Sequence, residues 1–181
     1  QSLWNYRILF GAPILEAASI NSGYHGCLIS EPKPGKQKIM STAQNTAISI
    51  QAIIDAPIEK VWHHWTSPDS IKAWNQASDD WHTTRAENDL RKGGRFMSRM
   101  EAKDGSFGFD FEGIYDEVKT HELISYSLGD NRTVKIVFTN LGQQTRVDET
   151  FDAENTNPIE MQRNGWQAIL NNFKKFVETS Y

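Results

Sequence analysis

The segment RFMSRMEAKDGSFGFDFEGIY, residues 95–115, constrains the fold more than any other part of the chain. Asp104-Gly105 is a strong two-residue hairpin signal. With that pair at the tip, Lys103 lies opposite Ser106 and the register beyond is set. Met100 then faces Phe109, Ser98 faces Phe111, and Phe96 lies over Gly113. The other face pairs Arg99 with Asp110. One face is aromatic and the other ionic, as in a sheet packed on one side and wet on the other. Such a sheet needs a cover.

The last 24 residues supply one, in NPIEMQRNGWQAILNNFKKFVETS before the terminal tyrosine. Asn157 suits an N-cap, Pro158 the first helical position, and Glu160 completes a capping box. A helix over 158–179 would run about 30 Å, long enough to cross a whole sheet. Ile159, Trp166, Ile169, Leu170, Phe173 and Val177 share one stripe of it. Gln162 falls on that stripe and Gly165 borders it, so the first half is polar and undersized. Sheet and helix are therefore expected to leave a cavity, with its open end towards Gln162.

The remaining elements follow from periodicity. AISIQAIID (47–55) alternates as a half-buried strand does. Pro57 opens a helix on which Ile58, Val61, Trp62 and Trp65 share one arc, with His63 and His64 on the far side. Ser67-Pro68-Asp69 caps a second short helix carrying Ile71 and Trp74. Strands follow from Trp81 onward, including ELISYSL, TVKIVFT and QTRVDETF. Ile114 and Val118 fall on the opposite face from Tyr115, which signals a bulge.

Composition changes near Met40, the first methionine. Residues 1–39 mix apolar fragments with Gly and Pro, and no period runs far through them. From residue 40 onward 15 basic and 21 acidic residues give a net charge of −6, against −4 for the whole chain. Residues 1–39 are expected to be upstream sequence included by a misplaced start, or else a loosely attached tail, and residues 40–181 to form the functional domain. The acidic balance gives no footprint for nucleic acid. No apolar stretch approaches the roughly 20 residues of a membrane span. Cys27 is the only cysteine, which excludes disulfides within the chain and thiolate metal clusters and suits a reducing cytoplasm.

Several kinds of site compete. Asp79, Asp80 and His82 could ligate a metal with His63 and His64, but helix phase sends those two histidines to solvent, so no metal is expected. Arg91-Lys92-Gly93-Gly94 joins two strands, and no helix N-terminus follows it to receive a phosphate. For acid–base chemistry, Asp110 and Glu112 belong on the outer face. Glu149 shares a face with Val147 and Phe151, so it is the one acid the pattern sends inward. Glu149 and His82, the latter placed at the opening, are the catalytic candidates. The aromatic set carries more weight: Trp65, Trp74, Trp81, Phe96, Phe109, Phe111, Tyr115, Phe138 and Trp166. Trp65 and Phe138 read chiefly as core, whereas Trp74, Trp81 and Trp166 suit a pocket wall that meets a mixed ligand. His82, Met100, Gln162 and Ile169 complete the expected ligand-binding set.

The motifs APIEKVWHHWTSPDSIKAWN, DLRKGGRF, FEGIYDEV, TRVDETF and NGWQAILNNFKKFVE extend in order over nearly the whole domain. Through them the chain resembles the START-like (SRPBCC) superfamily, in the branch named after the activator of the ninety-kilodalton heat-shock chaperone's ATPase. The resemblance implies an α+β helix-grip fold: a curved antiparallel sheet around a long C-terminal helix, with two short helices after the first strand. It also implies a hydrophobic cavity that binds a lipid-like, aromatic or polyketide-like molecule without an obligate cofactor. An enzyme performing cyclisation or hydrolysis in that cavity is the first alternative. A protein-binding module related to the chaperone activator is the second.

Overall fold

A computed structural model describes residues 46–180; the segment 1–39 singled out above lies outside the described residues. Strand β1 (Ala47–Ile54) leads to helices α1 (Ile58–Thr66) and α2 (Pro68–Trp74). Six strands follow: β2 (Trp81–Asn88), β3 (Arg95–Ala102), β4 (Gly108–Lys119), β5 (Leu123–Leu128), β6 (Thr133–Asn140) and β7 (Thr145–Asp152). Helix α3 (Ile159–Thr179) closes the domain. All strand pairs are antiparallel, in the order β1-β7-β6-β5-β4-β3-β2. The sheet curls as a half-barrel, in the α+β helix-grip arrangement.

The hairpin register is as expected: Met100 pairs with Phe109, Ser98 with Phe111, Phe96 with Gly113, and Arg99 with Asp110. Its turn is wider than a two-residue one. The Gly105 N–H bonds the Ala102 carbonyl, and Lys103-Asp104 form the centre of the turn. Gly105 itself sits at φ 73°, a left-handed conformation that glycine adopts without a Cβ clash. A bulge lies between Tyr115 and Glu117, and it carries Val118 back to the inner face opposite Ile124. A second bulge, between Thr83 and Arg85, interrupts the β2–β3 pairing and was not legible in advance.

Helix α3 presents Trp166, Ile169, Leu170, Phe173 and Val177 to the core. The Trp166 ring stacks on Phe151 of β7 with centroids 4.1 Å apart. The same helix covers one edge of the sheet, strand β1. Arg163, Gln167 and Lys174 donate to the β1 carbonyls of Ser49, Gln51 and Ile53. Alternate edge acceptors are thereby withheld from another chain's strand.

The expected capping box does not form, because the residue before Ile159 makes no side-chain cap bond. Glu154 takes over: its carboxylate accepts the backbone N–H groups of Thr156 and Asn157. Glu160 stays exposed near Arg163. Ser67 likewise precedes α2 without a side-chain cap bond. His63 is exposed, but His64 is half-buried, with Nδ1 2.9 Å from the Ser70 hydroxyl and its ring against Phe176. Burial, with His63 and Lys60 nearby, holds the His64 pKa below its ordinary value.

Candidate functional site

Strand alternation decides what faces α3. Ser98 and Phe96 of β3, Phe111 and Tyr115 of β4, Ile124 and Tyr126 of β5, and Glu149 of β7 all project from the inner face. Trp166, Ile169 and Leu170 of α3 face them, and Trp65 of α1 with Trp74 of α2 close one end. The walls do not meet. They enclose a cavity of about 90 Å³. Exposed Glu87 with half-buried Ile71 and Asn75 form the rim, so the mouth lies between α2 and β2.

Glu149 is the chemical feature of this space. It is 6% exposed. Its neighbours across the ladder are Ile50 on β1 and Ile136 on β6, and along the strand Val147 and Phe151 share its face. None of these can donate a hydrogen bond. Among the described residues no hydrogen bond or ion pair reaches the Glu149 carboxyl. Desolvation therefore pushes its pKa up to about 8, and the acid is largely protonated at neutral pH. Tyr126 is raised well above its ordinary value by burial first and by the nearby Glu149 second. Burial also raises Tyr115, whose hydroxyl donates to Asn88 Oδ1 at 2.8 Å.

The cavity brings together Trp65, Trp74, Phe96, Phe111, Tyr115, Trp166, Ile169 and Glu149 from the residues anticipated above. Trp65, read as core, lines the space: its ring lies 5.4 Å from Trp74 and 4.7 Å from Phe173. Six others lie elsewhere. Trp81 is wholly buried at the sheet end beside Phe109 and Phe107, so neither it nor Phe109 lines the opening. Phe138 packs between Trp62 and Trp65. Met100 lies in the core, its sulfur 3.7 Å from the Thr83 hydroxyl. His82 pairs across the ladder with Glu101, away from the cavity lining, and this separates the two catalytic candidates.

Gln162 corrects the expected position of the gap. It is fully buried, and its amide spans the turn before α3. Oε1 accepts from the Glu154 N–H at 2.9 Å, while Nε2 donates to the carbonyls of Glu154 at 3.1 Å and Asn157 at 2.8 Å. A polar residue on the buried stripe is here a backbone clamp, and the hollow opens one turn further along, at Trp166–Leu170. Ser98 and Tyr126 were missed, although the same alternation that marks Phe96 and Ile124 would have found them. Ile71, Asn75 and Glu87 carry no such signal, since only the docking of α2 on β2 brings them together. Among the described residues no cluster of His, Cys, Asp and Glu could hold a metal, and no helix is long and apolar enough to cross a membrane.

Comparison with known proteins gives this geometry its relatives. No curated protein matches the chain. The solution NMR structure of an AHSA1-like protein from Aeromonas hydrophila is 48% identical over 74% of this chain and 92% of that one, with a TM-score of 0.70. A solution structure from Cytophaga hutchinsonii is 53% identical over 72% of this chain and 91% of that one, with a TM-score of 0.65. A crystal structure from Chromobacterium violaceum is 22% identical over 74% and 98%, with a TM-score of 0.66, and speaks to the fold alone. The family model described as activator of Hsp90 ATPase homolog 1-like protein matches residues 55–178, and the chain belongs to that family, with the START-like fold.

Proposed function

We propose that the domain binds a small apolar or aromatic molecule between the sheet and α3. The observation that carries this reading is an open, aromatic-walled hollow with one buried carboxyl that has no partner among the described residues. Well-packed interiors leave few voids, and a polar group at the bottom of an apolar one is the usual makeup of a ligand site. At about 90 Å³ the hollow lies well below the roughly 300–1,000 Å³ of drug-sized pockets. The ligand is therefore compact, or enters end-on and leaves its remainder at the Glu87 mouth.

Native mass spectrometry of protein purified from its own host tests the reading. A retained molecule of discrete mass, displaced on unfolding, is the expected result. Its absence, together with unchanged indole NMR signals from Trp65, Trp74 and Trp166 across a varied lipid and aromatic library, would remove the proposal.

The Glu149 pKa supports a second reading, catalysis in the same hollow, because an acid poised near neutrality can both give and take a proton. On that reading Glu149→Gln abolishes turnover and spares binding. Turnover that survives the substitution would discard it.

A further inference from the structure

The charges and ring faces around the cavity bear on what kind of molecule fits it. Two carboxylates line it, Glu149 at the bottom and Glu87 at the mouth, and no Lys, Arg or His is among the lining residues. Glu87 is held by Arg85 on the outside, whereas the Glu149 carboxyl has no such neighbour. Rings from Trp65, Trp74, Phe96, Phe111, Tyr126 and Trp166 supply the walls, and the face of each ring carries the negative lobe of its quadrupole. Apolar walls alone would suit any uncharged guest. An aromatic wall with a buried acid and no base among the lining residues suits one charge only; the buried Arg132, whose charge is felt at Tyr126, is held by Asp130.

Resting on the small-molecule reading above, we infer that the guest is an organic cation: an amine or quaternary ammonium head on an apolar body, with its charge set against Glu149. Such a head gains from the aromatic faces and from the carboxylate together. It also supplies what Ile50, Ile136, Val147 and Phe151 cannot, a counter-charge that makes an ionised Glu149 stable in a dry site. An anionic guest would be repelled once Glu149 ionises. A neutral guest would leave Glu149 protonated and gain nothing from its charge. The hollow has room for a compact head, with the apolar body towards the mouth.

Proton linkage gives the inference its signature. Glu149 holds its proton up to about pH 8, so a permanently charged guest must displace that proton in order to bind. The groups facing Glu149 are Ile50 and Ile136 from the neighbouring strands, Tyr126 from β5, Tyr115 from β4, and the apolar face of α3. Both tyrosines are pushed upward and stay neutral through this range. At the mouth Glu87 is paired with Arg85, and behind Tyr126 the buried Arg132 is paired with Asp130; neither pair is on the cavity floor with Glu149. Affinity for the cation should therefore rise with pH through this one carboxyl, by up to about tenfold per unit from about pH 6, and level off above about pH 8.

The test is a titration of the full chain with benzyltrimethylammonium and with its uncharged isostere neopentylbenzene, followed by indole NMR shifts at about pH 6, 7 and 8.5. The expected result is cation binding that strengthens at least about tenfold across the range and is tighter than the isostere's at about pH 8.5, with a flat profile for the isostere. Glu149→Gln should erase both the preference and the pH dependence, with the fold checked by the dispersion of the same spectra. If that variant does not fold, the wild-type cation and isostere profiles decide alone. Isostere binding equal to or better than the cation's at about pH 8.5, or a flat cation profile, overturns the inference and leaves the small-molecule reading standing. If neither compound binds and no mass is retained in the native protein, both fall.

Discussion

Glu149→Gln should turn a pH-dependent stability into a much flatter one. Burial moves this carboxyl from an ordinary 4.5 to about 8 in the folded state. A carboxyl whose folded pKa lies above its unfolded value favours folding only while it is protonated. Its contribution is therefore complete below about pH 4.5, is lost progressively as pH rises to about 8, and falls no further beyond that. A gap of about 3.5 pH units at about 1.4 kcal/mol each sets a ceiling of about 5 kcal/mol. The mouth admits water, and effective dielectric constants at such sites exceed those of a dry interior, so about 2–3 kcal/mol is the expected loss. The assay is urea denaturation of parent and variant at about pH 5 and about pH 8.5. Groups that titrate in both proteins, His64 among them, cancel in the difference between the two stability gaps. The variant should gain about 2–3 kcal/mol on the parent between the two conditions. An equal gap at both would refute the reasoning, because it would mean that the Glu149 carboxyl is as well solvated folded as unfolded.

Two further outcomes probe the walls. Gln162→Leu keeps the volume but strands the N–H and carbonyl of Glu154 and the carbonyl of Asn157, so it should cost about 2–4 kcal/mol in urea denaturation. A loss below about 1 kcal/mol would show that the turn before α3 holds without the clamp. Gly113→Ala puts a Cβ 2.8 Å from the Phe96 ring and 2.8 Å from the Ser127 carbonyl oxygen. The ring must move into the hollow or β5 must shift, at about 1–3 kcal/mol. Unchanged stability and unchanged Trp65, Trp74 and Trp166 indole signals would show that the three strands absorb the methyl group elsewhere.

The hairpin was legible because one turn signal and a period of two fix every pair beyond it, and the four-residue loop over 103–106 has the same centre as a two-residue turn at Asp104-Gly105. That is why Met100–Phe109 and Arg99–Asp110 come out in register although the tip is wider than expected. The same period sends Glu149 inward, and its burial with Ile50 and Ile136 on either side follows. The capping box failed for a reason of position. The helix starts at Ile159, later than expected, and Glu154 takes the Asn157 N–H from the preceding turn while Glu160 faces solvent. The Thr83–Arg85 bulge left no mark in the alternation.

By itself, then, the sequence determined which residues face inward on each strand and which stripe of α3 covers them, since both are periodicities of the local backbone. Only the tertiary structure decided where the two surfaces part. Trp81, Met100, Phe109 and Phe138 face inward as surely as Phe96 and Phe111 do, yet the first four are packed solid and the last two border the hollow. That distinction depends on how the sheet curls and where α1, α2 and α3 dock upon it. It is a sum of side-chain volumes from elements far apart in the chain, and no local pattern records it.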